Sequence, residues 1–267
     1  MKEWPDSSNE HTRDIKHLFD VSSGNSDKDF PHSIYDTSLT FEKKHTFPGY
    51  KKEKTIDQFT SEEGESFFRI TAKPGIQFLT SQILGSAIHA APIYINEQGE
   101  FFSKRVNFPE NILEAAVDSF LLNVIANDWD HEIPYTEGSR SRNYENGSFF
   151  DFSHSKIALE NIQRHEDDRT VVRNTQNRLK EIKQKLAAFC ESRGLKVTQE
   201  EINNELKGVL TDKLNVLLQH VSSEKALTQM YEKIGYYTHY QHELLDPEEL
   251  RTILVRKITI VLEQVQH

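Results

Sequence analysis

The stretch from Phe120 to Phe152 constrains this chain most, because it asks an apolar helix to end in a crowd of carboxylates. The run Phe120-Leu121-Leu122-Asn123-Val124-Ile125-Ala126 empties into three acids and a histidine within five residues: Asp128, Asp130, His131 and Glu132. A polar stretch follows. Asn146-Gly147 then sits between Arg142-Asn143-Tyr144-Glu145 and Ser148-Phe149-Phe150-Asp151-Phe152. Both central residues of a type I′ turn need positive φ, and Asn-Gly supplies them, so the spacing predicts a tight β-hairpin. Clustered carboxylates raise one another's pKa unless a cation sits between them. A helix end, an acidic loop and a hairpin ending in Asp-Phe would gather Asp130, Asn143 and Asp151 around one cleft. All three offer hard oxygen donors, which suit Mg²⁺. The plain alternative is a solvated acidic loop in which Asp151 caps the next helix.

Charge and cysteine content narrow the classes. A chain of 267 residues has room for one large domain or two lobes. Its net charge of −10 and pI near 5.7 repel phosphate backbones and exclude sequence-independent nucleic-acid binding. The one cysteine, Cys190, excludes an internal disulfide and lies in a helical pattern beside Phe189, where it reads as a packed thiol. No apolar run reaches the roughly 18 residues of a membrane span, and the first residues lack the apolar stretch of a signal peptide. The expectation is a soluble, cytoplasmic protein with no membrane span.

Hydrophobic periodicity divides the chain into a polar arm at 1–37, a strand-rich segment at 38–107 and a mostly helical segment at 108–267. In the arm, Ile15, Leu18 and Phe19 stand at the spacing of one short helix. The stretch 38–47 alternates as a strand, and Phe47-Pro48-Gly49-Tyr50 reads as a turn. Glu65 to Lys73 is rich in aromatic and β-branched residues and predicts a strand. Apolar residues at 76, 79, 83 and 87 predict a helix from Ile76 to His89. Strand, turn and strand follow over 91–106. Pro109 and Glu110 suit the start of a helix that runs to Ala126. Beyond Ser155, Leu179, Ile182, Leu186 and Phe189 form one stripe, and Gly194 ends that helix. Thr198 and Glu201 form a capping box for the next helix, and Asp246-Pro247 opens the last one. These stripes read as core, with a partner-binding coiled coil as the alternative. The class is α+β.

The loop from Asp128 to Glu132, Asn143 and the sequence Asp151-Phe152-Ser153 together resemble the catalytic core of the kinase fold. The branch they are most similar to is the atypical one of HipA-like kinases and small bacterial relatives of phosphatidylinositol 3- and 4-kinases. The resemblance covers about Ser66 to His154. It implies a two-lobed fold with a small β-rich N-lobe and a mostly helical C-lobe carrying long C-terminal helices. It implies ATP and Mg²⁺ as cofactors, with Asp130 as the acceptor-facing base and Asn143 and Asp151 as metal ligands. Lys73 takes the place of the phosphate-binding lysine. Gln77 stands where the family's helix offers a glutamate to hold that lysine. Asp128 is expected to support the loop through backbone hydrogen bonds.

Three features depart from the family pattern. Only Gly49 stands where a glycine-rich loop would cover ATP, Asn143 lies 13 positions after Asp130, and Ser153 replaces a glycine. The expected function is ATP-dependent phosphotransfer to a protein or small-molecule hydroxyl. The alternative is a catalytically silent kinase-like module that binds a partner. A metal-dependent hydrolase built on His239 and His242, with His131 and Glu132, is a third reading.

Overall fold

A computed structural model describes residues 15–19, 39–47, 54–96, 98–104, 106–108, 110–134, 143–145, 148–235 and 244–267. The turn at Pro48-Gly49-Tyr50, Pro109, the Asn146-Gly147 pair, and His239 with His242 lie outside these residues, as does most of the 1–37 arm.

The N-terminal part builds an antiparallel sheet of five strands from β1 (Leu39–Phe47), β2 (Lys54–Ser61), β3 (Ser66–Ile70), β4 (Ile93–Ile95) and β5 (Phe101–Lys104), in the order β1-β2-β3-β5-β4. β2 was not legible in the sequence. Its Lys-Thr-Ile-Asp-Gln-Phe-Thr-Ser composition is polar, and its place is set by pairing with β1, from Leu39↔Ser61 to Phe47↔Lys54, rather than by burial. In β4 and β5 the two-residue period of a strand sorts the side chains cleanly. Ile93, Ile95 and Phe101 enter the main core, whereas Tyr94 and Phe102 join Phe67 in a small cluster on the other face. Leu39 and Phe59 pack on that cluster.

β3 stops at Ile70, so Lys73 does not end a strand. It is the N-cap of helix α1 (Pro74–Leu84), with a left-handed φ of 45°. Pro74 fits the first helical turn, where a missing N–H costs nothing. α1 also ends earlier than its apolar spacing predicted, at Leu84 rather than His89. Gly85 follows, and a Cβ there would lie 2.3 Å from the Ser81 carbonyl oxygen. α1 is buried on nearly every side, so its hydroxyls must bond within the protein. Thr80 donates to the Ile76 carbonyl and Ser81 to the Ala91 carbonyl.

Helix α2 (Ile112–Val124) starts two residues after Glu110, because Asn111 is the better cap. Its side chain accepts from the N–H groups of Leu113 and Glu114 at 3.0 and 3.1 Å. The chain then forms a short hairpin, β6 (Tyr144–Glu145) and β7 (Ser148–Phe149), whose Glu145↔Ser148 pairing leaves a two-residue connection. Helices α3 (Glu160–Gln163), α4 (Asp168–Ser192), α5 (Gln199–Val221), α6 (Glu224–Gly235) and α7 (Pro247–Gln266) complete the described residues. α2 packs against α4 and α5, and α7 packs against α4, α5 and α6. The starts of α5 and α7 and the end of α4 are those the sequence announced. Thr198 and Glu201 form a reciprocal capping box on α5. Asp246 accepts from Glu248 and Glu249 on α7, and Gly194, with a φ of 65°, ends α4. Among the described residues, no helix is long and apolar enough to cross a membrane.

The 3-10 turn Lys16–Phe19 forms where the spacing of Ile15, Leu18 and Phe19 predicted one short helix. Ile15 and Phe19 are buried in the main core, next to α2. Phe19→Ala should therefore cost about 3–5 kcal/mol, read as a lower urea midpoint. An unchanged midpoint would mean that this turn does not dock in solution.

Candidate functional site

The site is built outward from the C-terminal half of α2, where three polar residues are buried: Asp118, Ser119 and Asn123. Each of them needs a partner inside the protein, and the loop that follows supplies carbonyls. The Asn123 amide lies 2.8 Å from the Ser119 carbonyl, 3.1 Å from that of Asp128 and 3.0 Å from that of His131. Two amide hydrogens serve three acceptors, so at least one bond is shared. Ser119 Oγ also donates to the His131 carbonyl, and Arg178 of α4 donates to Ser119 Oγ at 2.7 Å. The loop is thus pinned at both Asp128 and His131.

Within it, the two aspartates have opposite environments. Asp128 is fully buried. Its Oδ1 accepts weakly from the Asp130 N–H at 3.3 Å and lies 3.2 Å from His131 Nδ1. Its Oδ2 has no hydrogen-bond partner among the described residues. Asp130 is open, with a side chain 55% exposed, and Trp129 beside it is half-exposed. A carboxylate that must reach an incoming molecule has to be the open one. Asp128 serves the loop instead, as the sequence suggested.

His131 joins the loop to the hairpin. A carbonyl can only accept, so the bond between His131 Nε2 and the Phe150 carbonyl at 3.0 Å places a hydrogen on Nε2. The ring stacks on Phe152 with centroids 5.4 Å apart and meets the edge of Phe149 at 5.5 Å. Neither the Phe150 carbonyl nor the aromatic pair was legible as a partner, because both arrive from the hairpin.

The hairpin brings in the other expected residues. Asn143 Nδ2 donates to Asp130 Oδ2 at 3.0 Å, and the Asn143 carbonyl accepts from the Phe150 N–H at 3.0 Å. Asp130 and Asn143 therefore touch. Asp151 is the next residue along the same strand end, left-handed with a φ of 57°, and half-buried. Its Oδ1 accepts weakly from the Ser153 N–H at 3.3 Å. β7 is held from behind by the segment after α1: Phe149 donates to the His89 carbonyl at 2.8 Å and accepts from the Ala91 N–H at 2.7 Å.

α1 grips the hairpin exit. Gln77 Oε1 accepts from the Phe152 N–H at 3.1 Å, and its Nε2 donates to the Ala72 carbonyl at 2.7 Å. Thr80 Oγ1, whose hydrogen goes to the Ile76 carbonyl, accepts from the Ser155 hydroxyl at 2.7 Å. The resemblance expected Gln77 to hold Lys73, but both ends of its amide are used on the backbone. The Lys73 side chain is exposed and makes no hydrogen bond or ion pair among the described residues, while its carbonyl accepts from the Gln77 N–H at 3.2 Å. It stands one helical turn before Gln77.

A second polar cluster forms around Asp118 of α2. His89, Glu114 and Asp118 bring three ligand atoms within 4.8 Å of one another, a spacing open to a metal ion. The resident cation is a lysine: Lys213 Nζ of α5 is 2.6 Å from Glu114 Oε2 and 2.6 Å from Asp118 Oδ1. Asp118 also accepts from the His89 N–H at 2.9 Å, so the cluster fixes the segment that backs β7. Burial works against the charge on Asp118, yet Lys213 and His89 more than offset it and hold the carboxyl below its ordinary value. Burial likewise opposes the charge on Lys213, and Asp118 and Glu114 reverse that and raise it. Cys190 is buried, and burial pushes its thiol up, away from nucleophile chemistry.

These directions fix a pH dependence. The lowered carboxyl of Asp118 contributes stability above its unfolded value of about 3.9, and loses it as pH falls through the lower folded value. The raised ammonium of Lys213 contributes stability below its unfolded value of about 10.4, and loses it as pH rises through the higher folded value. Thermal melts across the acid range should show a flatter decline for Asp118→Asn than for the wild type. Parallel acid limbs would show that Asp118 carries no such linkage. The geometry stands without relatives to lean on: no family model matches this chain, and no similar curated protein or solved structure was found.

Proposed function

We propose that the chain is a kinase-like phosphotransferase that moves a phosphoryl group from ATP, with Mg²⁺, to a hydroxyl of a protein or small molecule. The observation that carries this reading is the Asp130–Asn143 hydrogen bond at the open end of a hairpin whose exit residue, Asp151, is left-handed. Phosphoryl transfer asks a protein mainly for positioning and charge. Asn143 occupies one oxygen of Asp130 and fixes the carboxylate. The other oxygen is left to orient the acceptor hydroxyl and take its proton. Since Asn143 donates through Nδ2, its Oδ1 is free of that bond and can serve as a neutral ligand. Asp151 adds a charged one. Hard oxygens of this kind fit Mg²⁺, which when bound would offset negative charge on the phosphates. The Lys73 side chain is solvent-facing at the start of α1 with no partner among the described residues, so its ammonium is open to a phosphate.

A second reading, a silent kinase-like module that binds a partner, draws on one observation. The Gln77 amide is spent on Ala72 and Phe152, so it does not hold Lys73, and no other side chain among the described residues does.

Titration with ATP separates the two readings from a scaffold without nucleotide. Mg²⁺ should raise the affinity of the wild type for ATP. Asp151→Ala should remove that gain and Asn143→Ala should reduce it less, because a neutral amide contributes less to a dication. Equal affinity with and without Mg²⁺ in the wild type would overturn the metal assignments. Asp130→Asn keeps the shape but loses the base, and should slow transfer by roughly 10²–10⁴ with ATP affinity nearly intact. If the wild type binds Mg-ATP and transfers phosphate to no protein or small-molecule hydroxyl, the silent module stands instead.

A further inference from the structure

Asn127 opens the acidic loop in an unusual conformation. Its φ is 51°, in the left-handed region that asparagine and aspartate enter more readily than other non-glycine residues. The residue is buried, and its Nδ2 donates to Glu166 Oε2 at 3.2 Å. Glu166 lies in the turn between α3 and α4 and is also buried. The same oxygen accepts from Lys257 Nζ of α7, which is 1% exposed and has no other hydrogen-bond partner among the described residues. Arg256 donates to the Glu166 carbonyl at 2.9 Å. One carboxylate oxygen thus connects the last helix to the first residue of the loop.

We infer that Glu166 and Lys257 are positioning residues for the loop that carries Asp130. The role of Glu166 is to aim an acceptor at Asn127, and the role of Lys257 is to make that buried carboxylate tolerable. A buried ion pair is weak support for stability, since apolar residues of similar volume often serve as well. Burial pulls the Lys257 ammonium below its ordinary value, and Glu166 only partly restores it. What apolar residues could not supply is the directed acceptor. The loop downstream depends on it step by step. Asn127 sets the direction of Asp128. Asp128 receives the Asp130 N–H, and Asp130 meets Asn143.

The activity side of this inference rests on the phosphotransferase reading, and the loop-holding side does not, so the test reads both. The chain has two tryptophans, Trp4 and Trp129. In a Trp4→Phe background, Trp129 reports on the loop from two residues away. Two neutral double variants are compared. Glu166→Gln/Lys257→Met removes both charges and keeps an acceptor for Asn127. Glu166→Leu/Lys257→Met removes both charges and the acceptor. Leu254→Ala, a cavity in the same helix, controls for loss of stability alone.

All three should keep the wild-type far-ultraviolet spectrum. Only the leucine variant should shift the emission maximum of Trp129 and change its quenching by acrylamide. Transfer of phosphate should fall by about 10² in that variant, the order expected for an ångström-scale misplacement, with the KM for ATP unchanged, and the glutamine variant should restore it. Identical Trp129 quenching in the two double variants overturns the inference, whatever the activity. A Trp129 response confined to the leucine variant, in a protein whose wild type transfers no phosphate, upholds the positioning role and removes the phosphotransferase reading instead.

Discussion

Polar groups on the inner side of α2 have nowhere to find water, and the candidate site is organised by that constraint. Asp118, Ser119 and Asn123 are buried side by side on this helix, where an unmet hydrogen bond would cost about 1–3 kcal/mol each. Each is met by a different part of the chain. Asp118 takes the N–H of His89 and the ammonium of Lys213. Ser119 is bracketed by Arg178 and the His131 carbonyl. Asn123 takes the loop itself. The segment backing the hairpin, two of the long helices and the acidic loop are therefore located relative to one another by a single helix face.

Two charge pairs stand around that helix, Asp118 with Lys213 and Glu166 with Lys257, and the Asp128 carboxyl lies beside the buried His131 ring. Pairs of this kind add little net stability, because removing two charges from water costs about as much as their attraction returns. Breaking one by removing a single partner is costly, whereas hydrophobic replacement of both is often tolerated. Their common property here is direction. Each ends on a main-chain segment or side chain that leads to Asp130 or to β7.

Much of the architecture was legible because it is written locally. The Asn-Gly hairpin, the capping box at Thr198 and Glu201, the stop at Gly194 and the buried stripes of α4, α5 and α7 all depend on neighbours within a few residues. The meeting of Asp130 and Asn143 was foreseen from the order of helix, acidic loop and hairpin. What was not legible is carried by partners far away in sequence. β2 is a strand through its pairing with β1. Nothing in the sequence from Asp128 to Asp130 says which aspartate is buried; the Asn123 amide and His131 decide it. Gln77 reads as a surrogate for a lysine-holding glutamate until the Phe152 N–H arrives to occupy it. The polar residues of α2 were visible as exceptions inside an apolar run, and a polar residue in such a place signals a bond that must be found.

The hairpin itself has a kinetic corollary. Strands of two residues, β6 and β7, are too short to persist alone. β7 is completed by His89 and Ala91, and its exit by Gln77, all from chain made well before it. Closing such distant contacts costs chain entropy before they return any stability. The contact between Asp130 and Asn143 is thus assembled after its surroundings, and a chain arrested in folding would have its helices long before it had that contact.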